Sequence, residues 1–424
     1  MKKLLILGTS LASVEIVQTA KKLGCYTIVT DNLPPELSQA KYEADEYWMI
    51  STSDLDSLEQ KCKEESIDAV FAGVSEFNLD RVEELTDRLG LPCYIDKATW
   101  KYARDKKAFK TKCKEFGIPV VEEYYVSDPP QRQELSVIKY PVVVKPIDGT
   151  GNKGLSICQN EEELIKGCKK ARSQSEHDEI IVERYIRGEE YWNFYYIAEK
   201  EIRYVYSGRV FRQPGQPSFL YSFGTSAVGN QNEYKTVIYD KSIALLKDIG
   251  CSKGIAWIQC IMDNDGHYYA LEMAQRMSAG TSGKSMKKSI GISAIEWMLD
   301  TVLGNDQKSE MLPKTVEPPF EAAHCAYYQF AQKAGLVTSL EGYNDLDHDI
   351  YEVSKVTYEG TYVNAYRLLV RITFVARNAK EMCERLQEIN NKTKILNENK
   401  ENMYVQFTDY RTVIESHKGL FAHT

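Results

Sequence analysis

Hydrophobic and polar positions change their rhythm along this chain. Up to about residue 95, short apolar runs alternate with amphipathic stretches. Residues 4–7 lead through Gly8-Thr9-Ser10 into a helical pattern that reaches Leu23, and 26–29 end at Asp31; 68–72 precede Ser75-Glu76, and 93–95 close the set. Apolar runs separated by segments of helical period predict βαβ units and an open parallel sheet. A helical segment over 97–117 follows, D-K-K-A-F-K-T-K-C-K-E-F-G at its end, with Ala108, Cys113 and Phe116 on a compatible face and Gly117 placed as a C-cap. The β-branched run 142–144 predicts a buried strand that delivers Lys145 before Pro146 ends its ladder. A helix over 161–171 and a strand over 179–183 make residues 116–196 a small antiparallel sheet with helices.

Further on, aromatic-rich strands occupy 191–211, and the irregular stretch 213–232 reads as a mobile loop over a binding site. A helix is predicted over 241–250. Strands over 255–262 and 267–273 are joined by the turn Asp263-Asn264-Asp265-Gly266. From 318 the pattern gives strands at 322–330 and 366–375, a helix at 379–391 and a polar tail. The length of 424 residues exceeds one compact core. We therefore divide the chain into 1–97, an α/β unit; 98–317, a two-lobed unit with antiparallel sheets; and 318–424, an α+β unit.

Composition narrows the function. A formal charge of −8 without a clustered basic stretch argues against a nucleic-acid partner. No apolar run is long enough to span a membrane, and the run 4–7 after Met1-Lys2-Lys3 is too short for a signal-peptide core. Ten cysteines occur singly, without C-x-x-C or ligand spacing, which predicts reduced thiols in a cytoplasmic protein and no zinc site. The six histidines are dispersed, and no nucleophile pattern accompanies them.

Chemistry concentrates in 140–154, Y-P-V-V-V-K-P-I-D-G-T-G-N-K-G. Gly149, Gly151 and Gly154 allow backbone amides close to a ligand, and Lys153 joins Lys145 as a second cation, a combination suited to a polyphosphate. A hairpin whose lysine only caps a strand has the same local sequence. Two other glycine-rich stretches do not complete a motif. Gly8-Thr9-Ser10 lacks the later glycines of a dinucleotide fingerprint, and in G-T-S-G-K-S, residues 280–285, Ser278 stands where a phosphate loop needs its first glycine.

Four signals follow in order: Asp105-Lys106, the strand lysine with its glycine loop, V-E-R-Y-I-R-G-E-E, and the hairpin W-I-Q-C-I-M-D-N-D-G-H-Y-Y-A-L-E-M-A-Q-R. Together they resemble the ATP-grasp superfamily, which includes biotin carboxylase, glycinamide ribonucleotide synthetase and carbamoyl-phosphate synthetase. The resemblance covers most of the chain and implies a pre-grasp domain, an ATP-grasp domain and a C-terminal domain. By residue, it implies that Lys106 and Lys145 hold the phosphates of ATP and that the loop with Gly149, Gly151, Lys153 and Gly154 closes over them. It also implies that Glu183, Arg184 and Ile186 border the adenine edge, and that Glu190 grips the ribose. Gln259 and Glu272 would hold magnesium, or manganese in its place. The family's Asn-x-Arg is here Ala274-x-Arg276, so the metal site loses an amide while Arg276 still faces the transferred phosphoryl group.

The activity implied is an ADP-forming ligase that activates a carboxylate as an acyl phosphate and couples it to an amine. Lys145 and Arg276 would be catalytic, while Glu76, Ser222, Thr225 and Ser226, with Arg276, would contact substrates. The alternatives are bicarbonate activation, as in a carboxylase or a carbamoyl-phosphate-like synthase, and a nucleotide-binding protein without turnover. The partners are then small molecules, and a homodimer is expected from the carboxylase branch.

Overall fold

In the computed structural model, which describes residues 1–9, 11–95, 97–147, 154–217, 220–229, 234–305 and 307–422, the described residues form four sheets. The first holds β1 (Lys3–Leu7), β2 (Tyr26–Thr30), β3 (Glu46–Trp48) and β4 (Ala69–Ala72) in the order β3-β2-β1-β4, with every pair parallel. Its three longer strands are buried almost end to end, as a parallel sheet covered on both faces requires. Gly8 ends β1 with φ +76°, and a Cβ there would lie 2.1 Å from the Asn78 amide that donates to the Leu7 carbonyl. Residues 93–95 form no strand, contrary to their apolar pattern. The sheet takes β3 instead, an edge strand whose sequence, Glu-Tyr-Trp, carries little hydrophobic signal.

The helical stretch after residue 96 is broken into Lys97–Arg104 and Lys106–Glu115. Asp105 makes the break, because its carboxylate accepts from the backbone N–H groups of Lys107 and Ala108 and so starts a new helix. A small antiparallel sheet follows, β5 (Glu123–Tyr124), β6 (Val142–Pro146), β7 (Ser156–Cys158) and β8 (Ile180–Arg184), ordered β5-β8-β6-β7. The helix Glu161–Arg172 covers it, with Leu164, Cys168 and Ala171 packed on Val142, Val144 and Val182.

The largest sheet has eight strands. It joins β9 (Gly188–Ala198), β10 (Glu201–Phe211), β11 (Phe223–Thr225), β12 (Gly254–Asp263) and β13 (Tyr268–Ala274) to three strands of the C-terminal third. Those are β14 (Ala323–Phe330), β16 (Glu352–Lys355) and β18 (Leu368–Ala376), giving the order β13-β12-β9-β10-β11-β14-β18-β16. β15 (Gly335–Glu341), β17 (Tyr362–Val363) and β19 (Lys394–Asn397) form the fourth sheet, and the helix Ala379–Lys392 packs Met382, Leu386 and Ile389 into the same core as Ile372 and Phe374.

Two expectations are corrected here. β9 belongs to the large sheet, so the small sheet's lobe ends with β8 and does not extend to 196. The stretch 213–232 is not a loop throughout, since β11 lies inside it and links β10 to β14. No helix among the described residues is long and apolar enough to cross a membrane. All ten cysteines are unpaired, nine of them buried.

Candidate active site

A cleft of about 1210 Å³ opens between the small sheet, the carboxyl end of β4 and one face of the large sheet. Strand alternation selects what that face presents. Along β12, Trp257, Gln259 and Ile261 line the cleft, while Ile258 and Cys260 pack into the core behind it.

The cations enter from two elements. Lys106 stands at the start of its helix, and Lys145 ends the buried run of β6. The Lys145 ammonium meets the Glu183 carboxylate across the β6–β8 ladder, and the other Glu183 oxygen is taken by Lys110, one helical turn beyond Lys106. Lys110 also reaches Glu123 at 2.8 Å and is buried, as is Glu183. Burial alone would raise the Glu183 carboxyl, but Lys145 and Lys110 pull it down to about 2. Burial likewise opposes the charge on Lys110, and Glu183 with Glu123 overturns that and raises it. The Glu183 carboxylate is therefore spent on two ammonium groups, and sequence reasoning missed Lys110, although its i+4 spacing from Lys106 puts both on one helix face.

Beside this cluster Val121, Ile186 and Ile261 form a small apolar patch with Tyr269 and Leu271 packed on it, and the Arg184 guanidinium covers the Tyr269 ring at 5.5 Å. Gly149, Gly151 and Lys153 lie outside the described residues. Gly154 has φ +75°, and a Cβ on it would meet Pro146 Cγ at 2.6 Å.

Gln259 and Glu272 are direct cross-strand partners on β12 and β13. The register shifts just after them, and this bulge lets the consecutive residues Leu271 and Glu272 both line the cleft. Lys106 lies 3.3 Å from Glu272. Burial works against the Glu272 charge, yet Lys106 and Lys145 hold the carboxyl below its ordinary value. The Gln259 amide donates to Glu190 at 2.9 Å, and Arg212 holds the other Glu190 oxygen, so Glu190 stands beside the Gln259–Glu272 pair. Ala274 faces Trp257 across the strands and belongs to the core shared with the N-terminal sheet. A longer side chain at 274 would be aimed at that core from a buried position.

Arg276 donates to Glu76 at 2.9 Å and lies over the Trp257 ring at 5.0 Å. Arg104 takes the other Glu76 oxygen at 3.0 Å. Thr225 and Ser226 line the cleft but Ser222 does not; its backbone joins Phe211 and Tyr328. The Ser226 hydroxyl accepts from the His324 backbone, and the His324 ring links Ser285 at 2.7 Å to the Gly280 carbonyl at 2.9 Å. Burial pushes His324 down to about 4, so it is neutral near pH 7. The G-T-S-G-K-S stretch supplies cleft-lining Gly280 and Thr281, and the backbone N–H of Lys284 behind it is already taken by the Glu15 carboxylate at 2.9 Å. Arg371, buried in β18, donates to the Ala279 and Thr281 carbonyls, both at 2.8 Å, and holds that stretch against the cleft.

Residues 105–212 match the family described as the ATP-binding domain of the carbamoyl-phosphate synthase L chain. An L-amino acid ligase of Bacillus licheniformis superposes with a TM-score of 0.76 at 19% identity, covering 94% of this chain and 99% of that one. The chain has the ATP-grasp fold. A second ATP-grasp neighbour is the biotin carboxylase domain dimer of Hydrogenobacter thermophilus 2-oxoglutarate carboxylase in complex with MgADP. Its TM-score is 0.76 at 16% identity, over 93% of this chain and 90% of that one. Among curated relatives, the small subunit of that carboxylase is 22% identical over 72% of this chain and 67% of its own length. The formate-dependent phosphoribosylglycinamide formyltransferase of Bacteroides thetaiotaomicron is 25% identical over 52% of this chain, and the match spans only 59% of that relative.

Proposed function

We propose that this ATP-grasp protein is an ATP- and magnesium-dependent ligase that activates a carboxylate and couples it to an amine. The observation that carries the reading is the convergence of Lys106, Lys145, Glu272, Gln259 and Arg276 in one cleft from elements spread between residues 106 and 276. The donor set fits both groups. The apolar patch around Val121, Ile186 and Ile261 suits a flat base bordered by the backbone of 184–186, and Glu183 acts by placing Lys145 and Lys110. The lysines suit a polyphosphate, and the oxygens of Glu272 and Gln259 suit a hard cation, which when bound would neutralise phosphate charge.

In this reaction a carboxylate oxygen attacks the terminal phosphorus of ATP, the bond to the bridging oxygen breaks and ADP leaves. The amine nitrogen then attacks the acyl carbon, the carbon–oxygen bond breaks, phosphate leaves and the nitrogen loses a proton. Arg276, held by Glu76 and stacked on Trp257, would meet charge that develops during phosphoryl transfer. No side-chain nucleophile is needed. The domains 1–97, 98–317 and 318–424 remain our division. The ten unpaired thiols favour a reducing, cytoplasmic setting. The dimeric biotin carboxylase neighbour favours a homodimer.

The test is ADP release with magnesium and a panel of carboxylates and amines. Stimulation by bicarbonate alone would favour the carboxylase or carbamoyl-phosphate reading, and tight ATP binding with no ADP release would favour a binding protein. Lys145→Ala should abolish ATP affinity; unchanged nucleotide binding in that variant would overturn the site.

A further inference from the structure

The cleft continues over the large sheet as a slot whose floor is lowered at two glycines. Gly208 on β10 follows Trp192 in the cross-strand row that begins at Glu272 and Gln259, and the next row carries Val210, Gly224 and Ala326. Gly208, Gly224 and Ala326 all line the cleft. Neither glycine is demanded by its backbone, because both sit in strands without positive φ. A Cβ would find ordinary contacts there, 3.8 Å at Gly208 and 3.6 Å at Gly224. What the two glycines provide is depth.

The walls are aromatic. Tyr221 meets Tyr328 edge-on at 4.8 Å and Trp192 edge-on at 6.0 Å, and all three line the cleft. Where the slot joins the phosphate end, two buried donors have no partner among the described residues: Trp257 Nε1, on a side chain 3% exposed, and Arg276 Nε, on the guanidinium stacked over that indole. Buried donors of this kind call for an acceptor. Both residues line the cleft next to the groups that handle phosphate, and Arg276 brings positive charge to that end of the slot.

Resting on the ligase reading above, we propose that this slot selects the carboxylate substrate, and that the substrate is a carboxylate bearing a planar aromatic group. The carboxylate faces Arg276 and Trp257, and the ring lies over Gly208 and Gly224 between Trp192, Tyr221 and Tyr328. Edge and face contacts between rings give such a slot a preference that a branched aliphatic chain cannot match, because branching adds thickness over a flat floor.

Calorimetric titration of the full chain in the presence of MgADP tests the proposal, with L-phenylalanine and phenylacetate set against glycine and acetate. The aromatic pair should bind at least 10-fold more tightly. Gly208→Ala and Gly224→Ala should each weaken aromatic binding at least 10-fold, with melting temperature, MgADP affinity and the affinity for glycine and acetate unchanged. Equal affinity for the four probes, binding of none of them, or undiminished aromatic binding in both alanine variants would each overturn the slot. ADP release is scored separately. Robust release driven by small carboxylates with no aromatic preference sinks the slot alone, while aromatic binding lost in the alanine variants, without ADP release from any carboxylate, upholds the slot and sinks the ligase reading.

Discussion

Replacing Lys110 by Met keeps the buried stem and removes only the ammonium that shares Glu183 with Lys145. The size of the effect follows from the Glu183 carboxyl, which sits at about 2 where 4.5 is ordinary. At about 1.4 kcal/mol for each tenfold change in proton affinity, the charged form is favoured by roughly 3 kcal/mol after burial has been offset by the two lysines. Breaking one arm of a buried pair costs about 3–5 kcal/mol, since the remaining charge is left under-compensated. Lys110→Met should therefore lower urea stability at pH 7 by about 3 kcal/mol and weaken ATP binding, because Lys145 becomes the sole partner of Glu183 and is drawn away from the phosphates. Lys110→Met with Glu183→Gln should cost at least ~1 kcal/mol less than the sum of the single changes. The pH dependence has a definite sign. A carboxyl lowered by folding contributes fully above about 4.5, and the contribution disappears as pH falls from there toward 2, so the acid-side loss should be steeper in the parent than in Lys110→Met. A cost below ~1 kcal/mol, or parallel stability curves through that window, would refute the reasoning.

His324 should show the complementary effect: held near 4 against an ordinary 6.5, it favours folding above pH 6.5, and about 2 kcal/mol of that is lost between pH 7 and pH 5, a difference that His324→Gln should abolish in denaturation curves. Arg371→Met frees the carbonyls of Ala279 and Thr281, so it should destabilise the protein by about 3 kcal/mol and raise KM for the carboxylate while KM for ATP stays put; equal rises in both would oppose a positioning role. Glu272→Gln should raise the magnesium concentration for half-maximal ADP release by on the order of 10–100-fold, the range seen when a metal's surroundings are disturbed; an unchanged requirement would remove Glu272 from the metal site.

Residues whose chemistry coincides with the end of an element were legible in the sequence. Lys145 follows an apolar run, Lys106 follows a helix-starting Asp, and Glu272 and Arg276 sit on and just past a strand bounded by a D-N-D-G turn. Lys110 was hidden because a lysine on an amphipathic helix has the same signature whether it faces water or a buried carboxylate. β3 and β11 escaped because Glu-Tyr-Trp and Phe-Gly-Thr are too short to show a period, and their places are set by neighbouring strands. Residues 93–95 misled in the opposite direction: Tyr94 and Ile95 are buried as a strand would bury them, yet they pack in the core without joining a ladder. Gly208 and Gly224 gave no signal, since a glycine that makes room reads like one that makes a turn.

The pairing of β11 with β14 carries the large sheet from the central third of the chain into the last. The groups suited to phosphate chemistry lie on one side of that seam, on β6, β12 and β13 and the helix from Lys106. Ala326 and Tyr328, the far floor and wall of the slot, lie on the other, on β14. Substrate preference could then drift through changes in the final hundred or so residues while the nucleotide-handling strands stay fixed. An exchange of that segment between related proteins would replace only the Ala326 and Tyr328 side of the slot, since Trp192, Gly208, Tyr221 and Gly224 stay with the central third, and it would require Phe223, Gly224 and Thr225 to find their partners in the incoming strand.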